Sequence, residues 1–264
     1  MRENCLLTHH IFFLPLLYSV LVPIVMDAEA RPFVEHLELK QVDGFFPAHT
    51  PFLAFDGIHA GVQVTVITFG KDKVYGTGVD NAGTVPASLA TFLALAKFEA
   101  SGTKVDLVLN AGTCGGFKRK DAGIGDVFLT TGVANHDRRI PIPGFDTYGI
   151  GKLETLDAST MAKDLGYKTA ICTTGNSLDK TDGDDEIMKK NDASVKDMEA
   201  AAVAWVCEMN SVKYLGVKVV TDIVDGEFPT QDEFMENLHS AAVSLQDALP
   251  KVLAYMADKN HEEL

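Results

Sequence analysis

Short apolar runs rich in β-branched residues alternate with helical patterns along most of the chain. Such runs are typical of buried strands, and the segments between them have the residue spacing of helices. The strands predicted in this way are Ser19 to Met26, Val62 to Phe69, Val105 to Asn110, Val127 to Val133, Thr169 to Thr174 and Leu215 to Thr221. This alternation predicts an α/β fold, and a chain of 264 residues commonly forms one such domain.

Two segments carry apolar residues at helical spacing. The first helix is predicted from Val85 to about Ala100, with Thr84 as its N-cap and Pro86 in its first turn. Its inward-facing residues are predicted to be Leu89, Phe92, Leu93 and Ala96. The second helix runs from Thr230 to about Asp258, and Pro250 is expected to kink or break it because proline cannot donate a backbone hydrogen bond.

The charge balance argues against nucleic acid as a partner. The chain has 23 basic and 37 acidic residues, a formal net charge of −14, and no basic stripe that could neutralise a phosphate backbone. Its four cysteines show neither a CxxC pair nor zinc-ligand spacing, and His136-Asp137-Arg138-Arg139 offers too few ligands for a metal. We therefore expect no metal, no other cofactor and no disulfide framework.

The N-terminus allows two interpretations. Leu6 to Met26 is largely apolar and Ala28-Glu29-Ala30 resembles a signal-peptidase site, which would make the protein secreted. Cleavage there would remove the predicted strand Ser19 to Met26, and no Asn-x-Ser/Thr sequon supports secretion. We therefore expect an atypical leader at residues 1–18 and one domain at residues 19–260, in a cytoplasmic protein without a membrane anchor.

Three carboxylates are predicted to lie where strands end or helices begin. Glu29 follows the first predicted strand, Glu199 opens the Ala-rich run from Ala200 to Ala204, and Asp222 ends the last predicted strand. Each has an ordinary structural explanation, because acidic residues favour the first turn of a helix and can terminate a strand. Ligands of α/β proteins bind at the carboxyl ends of strands, so the three together indicate a site for sugar hydroxyls, where a half-buried Asp222 can stay protonated.

A glycine-rich segment, Asn110-Ala111-Gly112-Thr113-Cys114-Gly115-Gly116-Phe117, follows the third predicted strand. We expect a loop whose glycines let the backbone approach a ligand and whose amides and Thr113 hydroxyl point at it. It lacks the terminal Gly-Lys-Ser/Thr of a Walker A loop, and it does not open a helix as a dinucleotide-binding GxGxxG motif does. A tight strand exit is the alternative.

Four motifs together resemble the plant-type 5′-methylthioadenosine nucleosidases of the purine nucleoside phosphorylase and uridine phosphorylase superfamily. They are Asn110 to Phe117, His136 to Pro143, Lys196 to Glu199 and Val220 to Asp222, and the similarity extends from about Pro23 to Met256. The resemblance implies a single-domain three-layer sandwich with a mixed central β-sheet flanked by helices. It also implies an enzyme that hydrolyses the N-glycosidic bond of 5′-methylthioadenosine to adenine and methylthioribose in methionine salvage, with S-adenosylhomocysteine as a second candidate substrate.

The resemblance also implies roles for individual residues. Glu29 matches the base that activates water, and Asp222 matches the acid that protonates N7 of the leaving adenine. The substrate-binding positions are matched by Thr113 beside the ribose and the water, Leu178 and Lys196 around the adenine, Met198 against the sugar, and Glu199 at the ribose hydroxyls. An oxocarbenium-like transition state needs one neutral carboxyl and one charged carboxylate, as in inverting glycosidases.

A homodimer is implied as well, in which Arg138 to Phe145 of one subunit borders the 5′-alkylthio pocket of the other. The stretch is apolar and stiff, with Ile140, Pro141, Ile142, Pro143 and Phe145, and a soluble monomer would not usually leave it exposed. A loop folded back onto its own core is the alternative.

One position departs from the family pattern. Asn176 stands where relatives usually carry Asp, which removes a charge expected beside the adenine pocket and can change substrate preference. The leader at residues 1–18 also resembles nothing in the family.

Two other functions compete with hydrolysis. A phosphorylase of the same fold needs cations around phosphate, and in those relatives an Arg commonly occupies the position of Asn110. Here Glu29 places a negative charge where phosphate would bind, which favours water as the nucleophile. The second alternative is a secreted storage protein of this superfamily, but the retention of Glu29, Glu199 and Asp222 argues against a loss of catalysis.

Overall fold

The computed structural model describes residues 18–258, so the predicted leader, apart from Tyr18, lies outside the described residues. The elements are β1 (Tyr18–Ile24), α1 (Asp27–His36), β2 (Lys40–Gln41), β3 (Leu53–His59), β4 (Val62–Thr68), α2 (Thr84–Ala100), β5 (Leu107–Gly116), β6 (Val127–Asn135), α3 (Asp146–Ile150), β7 (Leu153–Glu154), α4 (Ser159–Leu165), β8 (Lys168–Thr174), α5 (Asp182–Lys190), β9 (Val195–Asp197), α6 (Ala200–Met209), β10 (Lys213–Ile223) and α7 (Thr230–Asp258). A short 3₁₀ turn, Lys118–Lys120, follows β5.

The strands of residues 18–258 form one mixed sheet. β5 is its centre, because it pairs in parallel with β1 and β10 and, at Gly115 and Gly116, antiparallel with β9. β10 continues to β6, β6 to β8 and β8 to β9, so these strands and β5 close a ring. β4, β3 and β2 extend the sheet beyond β1. The predicted α/β fold with a mixed central sheet is confirmed.

Helices cover both faces of this sheet, which gives three layers. Alternate side chains of β1 point to opposite faces, as the pleat of a strand requires. Leu21 packs in a cluster with α2 and α6, whereas Val20 and Val22 pack in a second cluster with α1, α4 and α7.

β1 lies in the middle of the sheet, between β4 and β5, and is buried from Ser19 to Ile24. The predicted first strand is thus present, and it begins at Tyr18, one residue inside the segment assigned to the leader. Cleavage after Ala30 would remove this strand and expose its neighbours on both sides. No helix within residues 18–258 has the length and apolar composition needed to cross a membrane.

The start of α2 differs from its prediction. Thr84 is the first helical residue and follows Gly83, whose φ of 97° favours glycine. The Thr84 side chain does not cap the helix. Instead, Asn176 Oδ1 accepts hydrogen bonds from the Thr84 backbone N–H at 3.0 Å and from its hydroxyl at 2.9 Å.

The prediction of which α2 residues face inward is also wrong. Leu89 and Phe92 are 52% and 48% exposed, and Leu93 and Ala96 are half-buried. The buried residues are Ala87, Ala90, Thr91, Ala94 and Leu95. They are mostly small because α2 packs closely against α6, and this leaves the larger apolar side chains on the outer surface.

α7 continues through Pro250 as one helix from Thr230 to Asp258, so the predicted break does not occur. Apolar residues on both sides of the proline, among them Leu249 and Val252, are fully buried against the sheet. Packing on this scale outweighs the loss of about 3 kcal/mol that a proline inside a helix brings.

The glycine-rich segment is a strand, and its prediction as a loop is wrong. β5 extends to Gly116, and Gly112, Gly115 and Gly116 all face partners in β10. Here the missing side chain permits close packing. A Cβ on Gly116 would lie 2.7 Å from Ala122 Cβ and 2.9 Å from Val220 Cγ1. The strand continues because its partners, which are distant in the chain, continue beside it.

A fully buried ion pair joins β9 to β10, which do not pair through their backbones. Lys218 Nζ lies 2.8 Å from Asp197 Oδ2, and it donates a second hydrogen bond to Asn110 Oδ1 at 2.9 Å. Asp197 also accepts from the Thr174 hydroxyl and from the Ala200 N–H. Burial opposes both charges, but each partner favours the charge of the other, so the pKa of Lys218 is raised and that of Asp197 is lowered.

We expect Lys218→Met to destabilise the fold by about 3–5 kcal/mol, because it leaves the Asp197 carboxylate buried without its cation. The measurement is the free energy of unfolding in urea. Lys71→Met is the matched control, since its ion pair with Asp80 is at the surface, and its effect should stay within about 1 kcal/mol. Equal stability losses in the two variants would contradict a special role of the buried pair.

Candidate active site

A cavity opens where the carboxyl ends of β1, β5, β9 and β10 meet. It is lined by Val25, Met26, Glu29, Ala82, Gly112, Thr113, Cys114, Gly115, Leu178, Lys196, Asp197, Met198, Glu199, Lys218, Thr221, Asp222 and Phe234. All seven predicted site residues are therefore brought to one cavity, although they come from five separate stretches of the chain. The chemical roles assigned to them stay predictions.

Glu29 lies in the first turn of α1 and is almost completely buried. Its Oε1 accepts hydrogen bonds from the Thr113 backbone N–H at 2.8 Å and from the Thr113 hydroxyl at 2.7 Å. Its Oε2 accepts from the Met26 N–H at 3.1 Å, which is the ordinary capping contact at a helix start. The Glu29 side chain therefore caps the start of α1 and also faces the cavity, where its hydrogen bonds hold it beside Thr113.

Glu199 immediately precedes α6 and is also buried. Its Oε1 accepts a hydrogen bond of 2.7 Å from the Gly83 N–H, just before α2. Burial raises the pKa of Glu199 to about 7, and the neighbouring Asp197 carboxylate adds to the rise, while Lys218 and the Gly83 N–H oppose it. Near neutral pH the group therefore passes between its neutral and charged forms, and hydroxyl donors from a ligand would favour the charged form.

Asp222 lies next to the end of β10, where the pairing with β5 shifts by one residue between Val220 and Asp222. Its Oδ1 accepts a hydrogen bond of 2.8 Å from the Thr221 hydroxyl. Burial raises the pKa of Asp222, and the Thr221 hydroxyl and the Lys196 cation limit the rise. A carboxyl with these surroundings is suited to hold a proton and release it to a bound base.

Lys196 lies opposite Asp222 and holds the segment that contains Leu178. Its Nζ donates to the carbonyls of Ser177 at 2.6 Å and of Leu178 at 2.9 Å. Burial lowers the pKa of Lys196, although nearby carboxylates, with Asp222 the largest of them, favour its charge. Lys196 thus fixes one wall of the cavity through two backbone carbonyls.

The remaining predicted residues form less polar walls. Thr113 and Met198 are half-buried, and Leu178 is 41% exposed at the rim. Phe234 from α7, together with Val25 and Met26 after β1, adds apolar surface. The cavity therefore combines buried carboxyl groups with apolar walls, as sites for small polar ligands commonly do.

Asn176 is not part of the cavity lining. Asn176 is exposed. Its side-chain Oδ1 accepts a hydrogen bond from the Thr84 N–H, and its own backbone N–H donates to the Asp137 carboxylate at 2.6 Å. Asn176 therefore does not lie beside the predicted adenine pocket. Asn176 instead connects the start of α2, next to the Gly83 amide that holds Glu199, with the segment that follows β6.

The Lys218–Asp197 pair was not predicted as part of the site. A signal was present, since Lys218 is a lone charged residue between Val217 and Val219 in a strongly apolar run. A lysine in a buried strand requires a buried partner. Phe234 is a further lining residue that was not predicted for the site. Within residues 18–258, no group of His, Cys, Asp or Glu side chains is arranged to hold a metal ion.

Comparison with known proteins agrees with this fold. The model of the phosphorylase superfamily matches residues 20–254. The 5′-methylthioadenosine nucleosidase of Arabidopsis thaliana is 40% identical over 93% of this chain and 90% of its own length. The 5′-methylthioadenosine/S-adenosylhomocysteine nucleosidase of the same plant is 40% identical over 91% of this chain and 92% of its own length.

A solved structure gives the same result. The apo structure of the Arabidopsis thaliana 5′-methylthioadenosine nucleosidase superposes with a TM-score of 0.88 at 40% identity, and the match covers 94% of this chain and 99% of that one. The chain therefore belongs to the phosphorylase superfamily and, within it, to the 5′-methylthioadenosine nucleosidases. The family resemblance stated from the four motifs is confirmed.

The close contact between β5 and Asp222 yields a testable expectation. A Cβ on Gly115 would lie 2.5 Å from Val224 Cγ2 and 2.7 Å from Asp222 Oδ2, so Gly115→Ala should overpack this corner and cost about 1–3 kcal/mol of unfolding free energy. Gly123→Ala is the control, because its nearest neighbour would lie at an ordinary 3.5 Å. Urea unfolding of both variants provides the comparison, and a Gly115→Ala variant as stable as the wild type would show that Asp222 and Val224 move aside freely.

Proposed function

We propose that this protein hydrolyses the N-glycosidic bond of 5′-methylthioadenosine to adenine and methylthioribose, the reaction expected of an N-ribosyl hydrolase of its family. The observation that carries the proposal is the arrangement of Glu29, Glu199 and Asp222 around one cavity in a chain that is 40% identical to nucleosidases of this name. Release of adenine from methylthioadenosine is a step of methionine salvage. No cofactor is needed, because the reaction adds water across one bond.

The reaction needs a proton at the base and a nucleophile at the sugar. Asp222 gives its proton to N7 of adenine, so that the electron pair of the breaking bond between C1′ and N9 is accepted by a neutral leaving group. Glu29, held beside Thr113, takes a proton from the water that attacks C1′. Glu199 accepts hydrogen bonds from the ribose hydroxyls and stabilises the positive charge that develops on the sugar.

The charges around the cavity favour water over phosphate as the nucleophile. The cations that line it within the described part of the chain are Lys196 and Lys218, and both are already engaged. Lys196 holds two carbonyls and Lys218 is paired with Asp197. Asn110, at the position where phosphorylases commonly carry Arg, is fully buried and bonds to Lys218 and Tyr214. A phosphate would therefore meet Glu29 without a free cation.

The substrate range includes S-adenosylhomocysteine as a second candidate, since one of the similar Arabidopsis thaliana proteins carries both substrates in its name. A secreted storage protein without activity is the weaker alternative, because three buried carboxyl groups without a function would only reduce stability.

We also propose a cytoplasmic location. The support is β1, which cleavage at the signal-peptidase-like site would remove from the middle of the sheet.

We further propose a homodimer in which Arg138 to Phe145 borders the pocket of the second subunit. In the single chain, Ile142 and Phe145 are 55% and 44% exposed, which disfavours a loop folded onto its own core. Further exposed apolar residues lie on the outer sides of α2, α3 and α6: Val85, Leu89, Phe92, Tyr148, Trp205 and Met209. Asn176 bonds both to Asp137 and to Thr84, so the segment lies next to the start of α2. A second copy of the chain is the occupant that the family predicts for such a surface.

The function is tested by adenine release from 5′-methylthioadenosine on purified protein, with and without phosphate. We expect release that does not depend on phosphate.

Asp222→Asn should lower turnover by about 10²–10⁴-fold without loss of the fold, because an amide cannot deliver the proton. Glu29→Gln should lose turnover yet still bind nucleoside. Glu227→Gln, an exposed change near the same strand end, serves as the control. Release that requires phosphate would favour the phosphorylase, and near-normal turnover by Asp222→Asn would refute the acid.

The dimer is tested by Ile142→Asp, which puts a charge on the proposed interface. Sedimentation should shift toward monomer, and the KM for 5′-methylthioadenosine should rise in the same sample because the pocket loses its second wall. Ile58→Asp is matched in chemistry and exposure but lies on β3, near the other end of the sheet, and should change neither quantity. A wild-type protein that sediments as a fully active monomer at micromolar concentration would rule out the dimer.

A further inference from the structure

The end of β10 is held by side chains of α7 on both sides of Asp222. Glu233 Oε2 accepts a hydrogen bond of 2.9 Å from the Ile223 N–H. Asn237 Nδ2 donates to the Thr221 carbonyl at 3.0 Å, and to the Glu233 carbonyl, one turn earlier in α7, at 2.9 Å. The residues immediately before and after Asp222 are thus each tied to the first two turns of one helix.

This support is needed because the strand is irregular here. The pairing of β10 with β5 shifts between Val220 and Asp222, which is the geometry of a bulge. Bulges occur next to active sites, where they turn a side chain toward the site, but they also disturb the regular ladder of backbone hydrogen bonds. The side chains of Glu233 and Asn237 supply hydrogen-bond partners at this irregular point.

The charges that face Asp222 act in opposite directions. Lys196, on β9, favours the ionised carboxylate, whereas Glu233, on α7, disfavours it. On the β5 side, Gly115 brings no charge, and burial raises the pKa of the Cys114 thiol, which therefore stays neutral. Glu29, on α1, lines the same cavity with a further acidic group. Glu233, on α7, therefore opposes the effect of Lys196 on the ionisation of Asp222.

We propose that Glu233 and Asn237 are positioning residues for Asp222: together they fix the backbone on both sides of it, and the Glu233 carboxylate, held next to Asp222 by the Ile223 N–H, opposes the effect of the Lys196 cation on the Asp222 carboxyl. The inference rests on the proposed function, in which Asp222 is the acid. Phe234, which lines the cavity, lies between the two residues on the same helix, so α7 joins the apolar wall to the acid. A role of Glu233 in the helix dipole alone would not affect the protonation of Asp222.

The first test is Glu233→Gln, which keeps an acceptor for the Ile223 N–H and removes the charge. Without that charge Asp222 loses its proton more readily, so the alkaline limb of the pH profile of kcat/KM should move to lower pH. The rate on the acidic side should stay within about twofold of the wild type. Glu236→Gln, an exposed change on the same helix, should leave the profile in place. A uniform loss of rate with an unmoved limb would overturn the electrostatic role.

The second test is Asn237→Leu, which has a similar size and no donor. It should lower kcat by about 10-fold or more, because small displacements of a reacting group are costly, while KM changes by less than about threefold. The alkaline limb should stay where it is, since no charge is removed. An unchanged kcat would overturn the positioning role of Asn237.

A readout independent of turnover separates this proposal from the proposed function. The ¹³C resonance of the Asp222 carboxyl, assigned by its loss in Asp222→Asn, is titrated in the wild type and in Glu233→Gln. The midpoint should be lower in the variant, and equal midpoints would refute the proposal. If the wild type released no adenine but the midpoint still moved, the proposed function would fail while the coupling between Glu233 and Asp222 would stand.

Discussion

The buried ion pair between Lys218 and Asp197 is the interaction on which the rest of the site depends. It lies beneath the cavity and joins two strands that share no backbone pairing. Through Asn110 it reaches β5, and through Thr174 and the Ala200 N–H it reaches β8 and the start of α6. Lys218 Nζ has two acceptors and the Asp197 carboxylate has three donors, so the pair can stay charged although it is buried. It fixes β9, which ends two residues before Glu199, against β10, which carries Asp222.

This arrangement has an energetic consequence for Glu199. Its pKa rises from 4.5 in the unfolded chain to about 7 in the fold, mainly through burial. Between these two values the folded protein keeps a proton that the unfolded chain has released, so stability decreases as the pH rises from about 4.5 to about 7, and the loss is complete above that range. The site therefore opposes folding near neutral pH, and the two cores on the faces of the sheet must compensate for it.

Much of the fold could be predicted from local patterns, and the errors share one cause. The sequence predicts the strands around Val64, Leu129 and Val217 correctly, because apolar β-branched runs form strands largely independently of their surroundings. Glycine favours turns locally, so the sequence pattern predicts a loop at Gly112 to Gly116, whereas in the structure β10 and β9 pair with this segment and it continues as a strand. Helical spacing of apolar residues predicts that Leu89 and Phe92 face inward, but the close approach of α6 admits only small residues there.

The sequence by itself determined the family and the set of candidate groups: Glu29, Glu199 and Asp222 could be named from motif order and from their places at strand ends and helix starts. Their common surroundings were decided by the tertiary structure alone. Folding alone brings together the residues that bury these groups and bond to them. It places the Gly83 amide at Glu199, Thr113 at Glu29, and the side chains of Glu233 and Asn237 at the end of β10. Motifs record which side chains are present, whereas pKa values and orientation depend on desolvation and on neighbours from other elements.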